Sequence, residues 1–157
     1  MGNYERLELD FINRTLALIA QYESDLHQYE FEQQFNYTLL INCLLGLIVL
    51  PKERTISYIP NERLTTEIKN SMGLFESFIN PDIRELRELI IALRHAVAHF
   101  DINVVSNNEN FLVDEIVFSD TSNGGVPNEL VRFKSEELLP FIRYYASRLT
   151  RNIENYG

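Results

Sequence analysis

The chain is short of basic residues and of cysteine, and both shortages exclude function classes. Of its 157 residues, 14 are Lys or Arg against 23 Asp or Glu, for a formal net charge of −9. A protein that coats duplex nucleic acid through bulk positive charge is thereby excluded, although a local basic groove is not. Cys43 stands alone, so neither an intrachain disulfide nor a cysteine metal cluster can form. Long apolar runs are also missing. The longest, Leu39 to Leu50, is broken by Asn42 and closed by Pro51, well short of the ~20 residues that span a membrane. Met1 to Asp10 carries Glu5, Glu8 and Asp10 with no apolar stretch after a basic start, so no secretory signal is expected. There is no glycine-rich phosphate loop; Gly124-Gly125 reads as a turn. With no internal repeat or interdomain linker, the expectation is one domain over residues 1–157, cytoplasmic and without membrane contact.

What is present is ordinary globular composition, 45% hydrophobic and 24% charged, on a chain long enough to bury a core unaided. Tyr4 to about Glu30 reads as a long amphipathic helix, with Leu7, Phe11, Leu18, Tyr22, Leu26 and Tyr29 at helical spacing. Phe31 to Leu50 reads as a second, central helix that Pro51 stops. Lys52 to Asn61 reads as a connecting loop, and Glu62 to Phe78 as a weaker helix with Gly73 as a soft spot. Asn80 as N-cap, Pro81 in first position and Asp82 in the first turn open a helix running to about Phe100. Ile102–Val105, Phe111–Phe118 and Leu130–Phe133 are rich in β-branched and aromatic residues, as in a hairpin or three-stranded flap. Ser135 then caps a last helix, Glu136 to about Asn155, with Pro140 in its first turns. The expected fold class is mainly α: about five bundled helices with a small β-hairpin or flap inserted before the last.

The helix from Pro81 carries the candidate chemistry. At ~100° per residue, Ile83, Leu86, Leu89, Ile90, Leu93, Val97 and Phe100 share one apolar stripe. Arg84, Arg87, Glu88, Arg94, His95 and His99 fall on the other side. Both histidines are therefore off the expected core face. A structural reading stands beside a functional one: His99 in the last turn favours the helix dipole, and the arginines can pair with Glu85 and Glu88 on the surface. Arg94 and His99, five positions apart, lie roughly 140° apart around the helix. Ile91 and Ala98 sit between them, small and apolar on a charged face, as a partner helix would require.

Leu93-Arg94-His95-Ala96-Val97-Ala98-His99-Phe100 resembles the Arg-polar-x-x-x-His signature of HEPN domains, and its place late in a helical domain, after a long first helix and an apolar second one, is similar too. The resemblance implies a single HEPN-like domain acting as a metal-independent endoribonuclease, often a toxin or a phage-defence component. It implies Arg94 and His99 as the catalytic pair and His95 as the polar accessory position. It further implies a homodimer through the motif helix, with a composite site at the interface, RNA as partner, and an antitoxin protein where the member is a toxin. The alternative is a non-catalytic HEPN-like module that binds nucleotide, RNA or protein. A third reading is a structural helical protein in which the motif is accidental.

The residue types suit the chemistry. RNA supplies its own nucleophile, the 2′-OH, so the protein need only move protons and stabilise charge. An ordinary histidine titrates at ~6.5 and can accept and return a proton near neutrality. Arginine stays charged and presents a planar fork to phosphate oxygens. Arg87, on the same face, is a candidate RNA-binding residue for a neighbouring phosphate. No cofactor is expected. A metal site from His95, His99 and Asp101 lacks the glutamate that follows the first histidine of a zincin motif. Cys43, in an apolar helix beside no basic residue, is a poor thiolate.

Overall fold

The computed structural model describes residues 4–49, 59, 61–107, 109, 112–122 and 125–156. Most of the loop expected from Lys52 to Asn61 lies outside them. Among the described residues there are five α-helices: α1 Leu7–Asp25, α2 Asn36–Val49, α3 Thr66–Ser71, α4 Leu86–His99 and α5 Leu138–Tyr156. Four strands, β1 Phe78–Ile79, β2 Ile102–Val105, β3 Glu115–Asp120 and β4 Asn128–Lys134, form one antiparallel sheet in the order β1-β4-β3-β2.

This corrects the expected fold class. The chain is mixed α and β, not a mainly α bundle with a flap, because a four-stranded antiparallel sheet packs its inner side into the core. Ile116, Phe118, Val131 and Phe133 are fully buried, in one apolar cluster with Leu44 of α2, Leu89 and Leu93 of α4, and Phe141 and Tyr145 of α5. Alternation along β4 places Val131 and Phe133 inward while Arg132 and Lys134 stay half-exposed. On that outer side Arg132 bonds Glu115 and Glu129, and Lys134 bonds Glu115. The fourth strand, β1, comes from the end of the stretch read as helix: Phe78 and Ile79 pair with Arg132 and Val131.

Several boundaries also move inward. The first helix stops at Asp25 and a 3-10 turn follows, and α2 starts at Asn36 rather than Phe31. The third helix shrinks to Thr66–Ser71, with Thr65 as its cap, and ends ahead of Gly73 at φ +77°. α5 starts at Leu138, after a 3-10 turn over Ser135–Glu137.

The start of α4 moves furthest. Asn80 does not cap a helix; it holds a turn. Its N–H donates to the Leu130 carbonyl, and its side-chain oxygen accepts from Asp82 N–H. Pairing of β1 with β4 carries Asn80 onto the sheet edge, which overrides its capping preference. The helix opens instead at Leu86, where the Glu88 carboxylate accepts from the Arg84 and Glu85 N–H groups (2.7 and 3.1 Å). Leu86 N–H donates to the Glu62 carbonyl and Leu64 N–H to the Arg84 carbonyl. Glu62 is itself held by Tyr144 Oη and Arg148 of α5. The last helix thus sets where the motif helix begins.

Two buried details of this frame generate predictions. A Cβ on Gly73 would sit 2.4 Å from Pro140 Cβ, in a backbone conformation that disfavours side chains. Gly73→Ala is expected to destabilise by roughly 1–3 kcal/mol, read from chemical denaturation. Glu137, 8% exposed, accepts from the N–H groups of Phe75, Glu76 and Ser77 and from Ser77 Oγ. Burial pushes its carboxyl up, but these four donors outweigh burial and hold it below the usual carboxylate range. A depressed folded-state value means the stabilisation is complete above about pH 4.3, the ordinary glutamate value, and is lost as pH falls through the folded value. Glu137→Gln should therefore cost about 1–3 kcal/mol at neutral pH. It should also flatten the acid limb of a melting-temperature profile.

Candidate functional site

α4 is strongly amphipathic. Leu86, Leu89, Ile90, Leu93 and Ala96 are at most 2% exposed and pack into the core against α2 and the sheet. The opposite face is open: Ile91, His95, Ala98 and His99 are exposed and Arg94 is half-buried. The stripe is shorter than expected. Val97 is half-buried, and Phe100 leaves the stripe to stand 86% exposed.

His95 and His99, one helical turn apart, bring their ring centroids to 4.4 Å at a 48° tilt. His95 Nε2 lies 3.8 Å from Asp120 Oδ1 at the end of β3. Hydrogen bonds from Ser122 and then the two nearby imidazoles hold the Asp120 carboxyl below its ordinary range. Arg94 makes no hydrogen bond or ion pair among the described residues. Within one chain Arg94 and His99 are not brought together; they flank the open face from either side. Beside it, a shallow depression of about 380 Å³ is lined by Glu88, Ile91, Ala92, His95, Asp120, Ser122 and Leu130.

Arg87, the candidate phosphate-binding residue, donates from its guanidinium to the Ile59 carbonyl at 3.1 Å, and its Nε is buried without a partner. It braces the chain ahead of Glu62 and makes no ion pair with Glu85 or Glu88. Asp101 is likewise occupied. Its carboxylate accepts from Thr121 N–H and Oγ1, and among the described residues no cluster of His, Cys, Asp and Glu is arranged to hold a metal. Cys43 is buried in α2, where burial pushes its thiol up, away from a reactive thiolate.

The end of α4 is fixed by backbone. Asp101 N–H returns to the Ala96 carbonyl (2.8 Å), and the Asp101 carbonyl accepts from Ser119 N–H (2.9 Å). Between His99 and Asp101, Phe100 adopts φ 58° and ψ 30°, the left-handed conformation usually filled by glycine. For an aromatic residue that conformation costs about 1–3 kcal/mol.

Asp120 and Phe100 are the residues of the candidate site that sequence reasoning missed. Asp120 sits in a polar run that reads only as a turn. What brings it to His95 is strand register, Ile102 opposite Phe118, and the irregularity after Phe118. Phe100 continues the helical period and no glycine follows His99, so the helix end left no mark in the sequence.

The division of faces is testable by paired substitutions. Leu93→Ala should lose roughly 2–5 kcal/mol of stability. His99→Ala should stay within about 0.5 kcal/mol of the parent. Equal shifts in thermal denaturation would show the faces to be wrongly assigned.

No helix among the described residues is long and apolar enough to cross a membrane. No curated protein and no solved structure matches the chain. A protein-family model described as HEPN pEK499 p136 matches residues 1–156, motif and sheet alike. With nearly every residue inside that match, the chain belongs to this HEPN family.

Proposed function

We propose that the chain is a metal-independent endoribonuclease of the HEPN type, acting at a composite site where the motif faces of two copies meet. One observation carries the reading: on the solvent face of α4, an arginine without a partner among the described residues lies on the same open surface as two histidines in contact. A half-buried arginine with no partner among the described residues is a ready anion site. Ile91, 48% exposed between Arg94 and His95, together with Ala98, offers the apolar strip on which a second copy would seat.

In this reaction His99 accepts the proton of a 2′-OH as that oxygen attacks phosphorus. The P–O5′ bond breaks, and the departing 5′ oxygen takes a proton from the His99 of a second copy. The products are a 2′,3′-cyclic phosphate and a 5′-OH. Arg94 neutralises charge on the non-bridging oxygens of the pentavalent transition state. His95 is the accessory position, held towards Asp120 and against His99. A toxin or phage-defence component, restrained by an antitoxin protein, is the cellular role such an activity fits.

Incubation of purified protein with mixed RNAs in excess chelator tests the reading. Cleavage should persist, spare DNA, leave cyclic phosphate ends and stop when the target 2′-OH is methylated. Arg94→Ala and His99→Ala should each lose activity by at least about a hundredfold. The rate should rise with pH as the base loses its proton and fall again as the acid does, a bell shape. Chelator-sensitive cleavage leaving 5′-phosphates would overturn the assignment. RNA binding without cleavage would move the chain to the non-catalytic module.

A further inference from the structure

Phe100 is the wrong residue for its position if folding alone chose it. Its backbone holds the left-handed conformation, and its side chain is 86% exposed, the most exposed large apolar side chain among the described residues. Glycine or asparagine would satisfy the same helix end without strain and without presenting an aromatic ring to water. The ring is not on a loose tip. Asp101, the next residue, is bonded through its N–H to Ala96, through its carbonyl to Ser119 and through its carboxylate to Thr121. The backbone that carries the ring is thus held in place, one residue beyond His99.

The charges around it decide what it meets. Arg94, His95 and His99 precede it on the helix, and Arg94 has no partner among the described residues. An exposed aromatic ring one residue beyond His99, at the end of the helix that carries an arginine without a partner among the described residues, suits a ligand that is aromatic and anionic together, which is a nucleotide strand rather than an apolar protein surface. We propose that Phe100 is a stacking platform for an unpaired nucleobase beside the scissile phosphate. The proposal rests on the ribonuclease reading above and gives that site a base-binding residue. Stacking needs a base face free of its helical neighbours, which duplex RNA does not offer.

The chain contains no tryptophan, so Phe100→Trp places a single indole reporter at the site. A short 2′-O-methylated oligoadenylate, which binds but cannot be cleaved by 2′-OH attack, is the probe. Its addition should quench the indole emission, and the same strand annealed to its complement should not. Phe100→Gly, which relieves the backbone strain, should melt no lower than the parent. It should bind the single strand about ten-fold more weakly, the loss expected for one stacked base. If the oligonucleotide binds, by anisotropy, without quenching, and Phe100→Gly binds as well as the parent, stacking is overturned while the ribonuclease reading stands. If neither strand form binds, both fall. If the emission changes with protein concentration alone, the ring lies in a contact between copies, and stacking is again overturned.

Discussion

Burial of Leu86, Leu89, Ile90, Leu93 and Ala96 fixes the rotation of α4 about its own axis, and the candidate site follows from that rotation. Each large side chain in the stripe contributes about 1.5–3 kcal/mol by leaving water, so turning the helix to hide the histidines would expose most of that area. The candidate side chains need no hydrogen bonds of their own to stay outward. Arg94 has none among the described residues, and His95 and His99 touch chiefly each other and Asp120. A helix held by its back leaves its front free for a ligand, and side chains on a regular element are held more exactly in place than side chains on a loop.

The ends of α4 are fixed by different means, and both bear on the front face. At the start, Glu88 and the Glu62 segment occupy the free N–H groups, with Glu62 anchored by α5. At the finish, Asp101 joins the helix to the end of β3 and so delivers Asp120 to His95.

How much of this was legible follows from the range of each signal. The apolar stripe of α4 recurs within a few residues, and periodicity placed Arg94, His95 and His99 off the core correctly. β2 was read at its true bounds for the same reason: Ile102 to Val105 carries its own β-branched signal. The sheet as a core layer was not legible. Its edge strand is two residues long, and the order β1-β4-β3-β2 joins Phe78 to a partner more than fifty residues on. Asn80-Pro81-Asp82 has the composition of a helix start, but that composition equally suits a turn. The bond from Asn80 to Leu130, invisible locally, decided between them. Asp120 was hidden for the same reason.

The separation of Arg94 from His99 has a consequence for assembly. Five positions on a rigid helix leave the two side chains roughly 140° apart, and the fully buried Leu93 and Ala96 prevent α4 from rolling to bring them together. A single copy therefore presents Arg94 and His99 on opposite flanks of one exposed strip, centred on Ile91 and Ala98. Two such strips packed face to face would bring the flanks of one copy against those of the other. The exposed apolar area that a lone chain leaves in water is then the area such a dimer covers. In the proposed reaction the second copy supplies the group that the helix geometry keeps out of reach, so association and catalysis depend on the same face of α4.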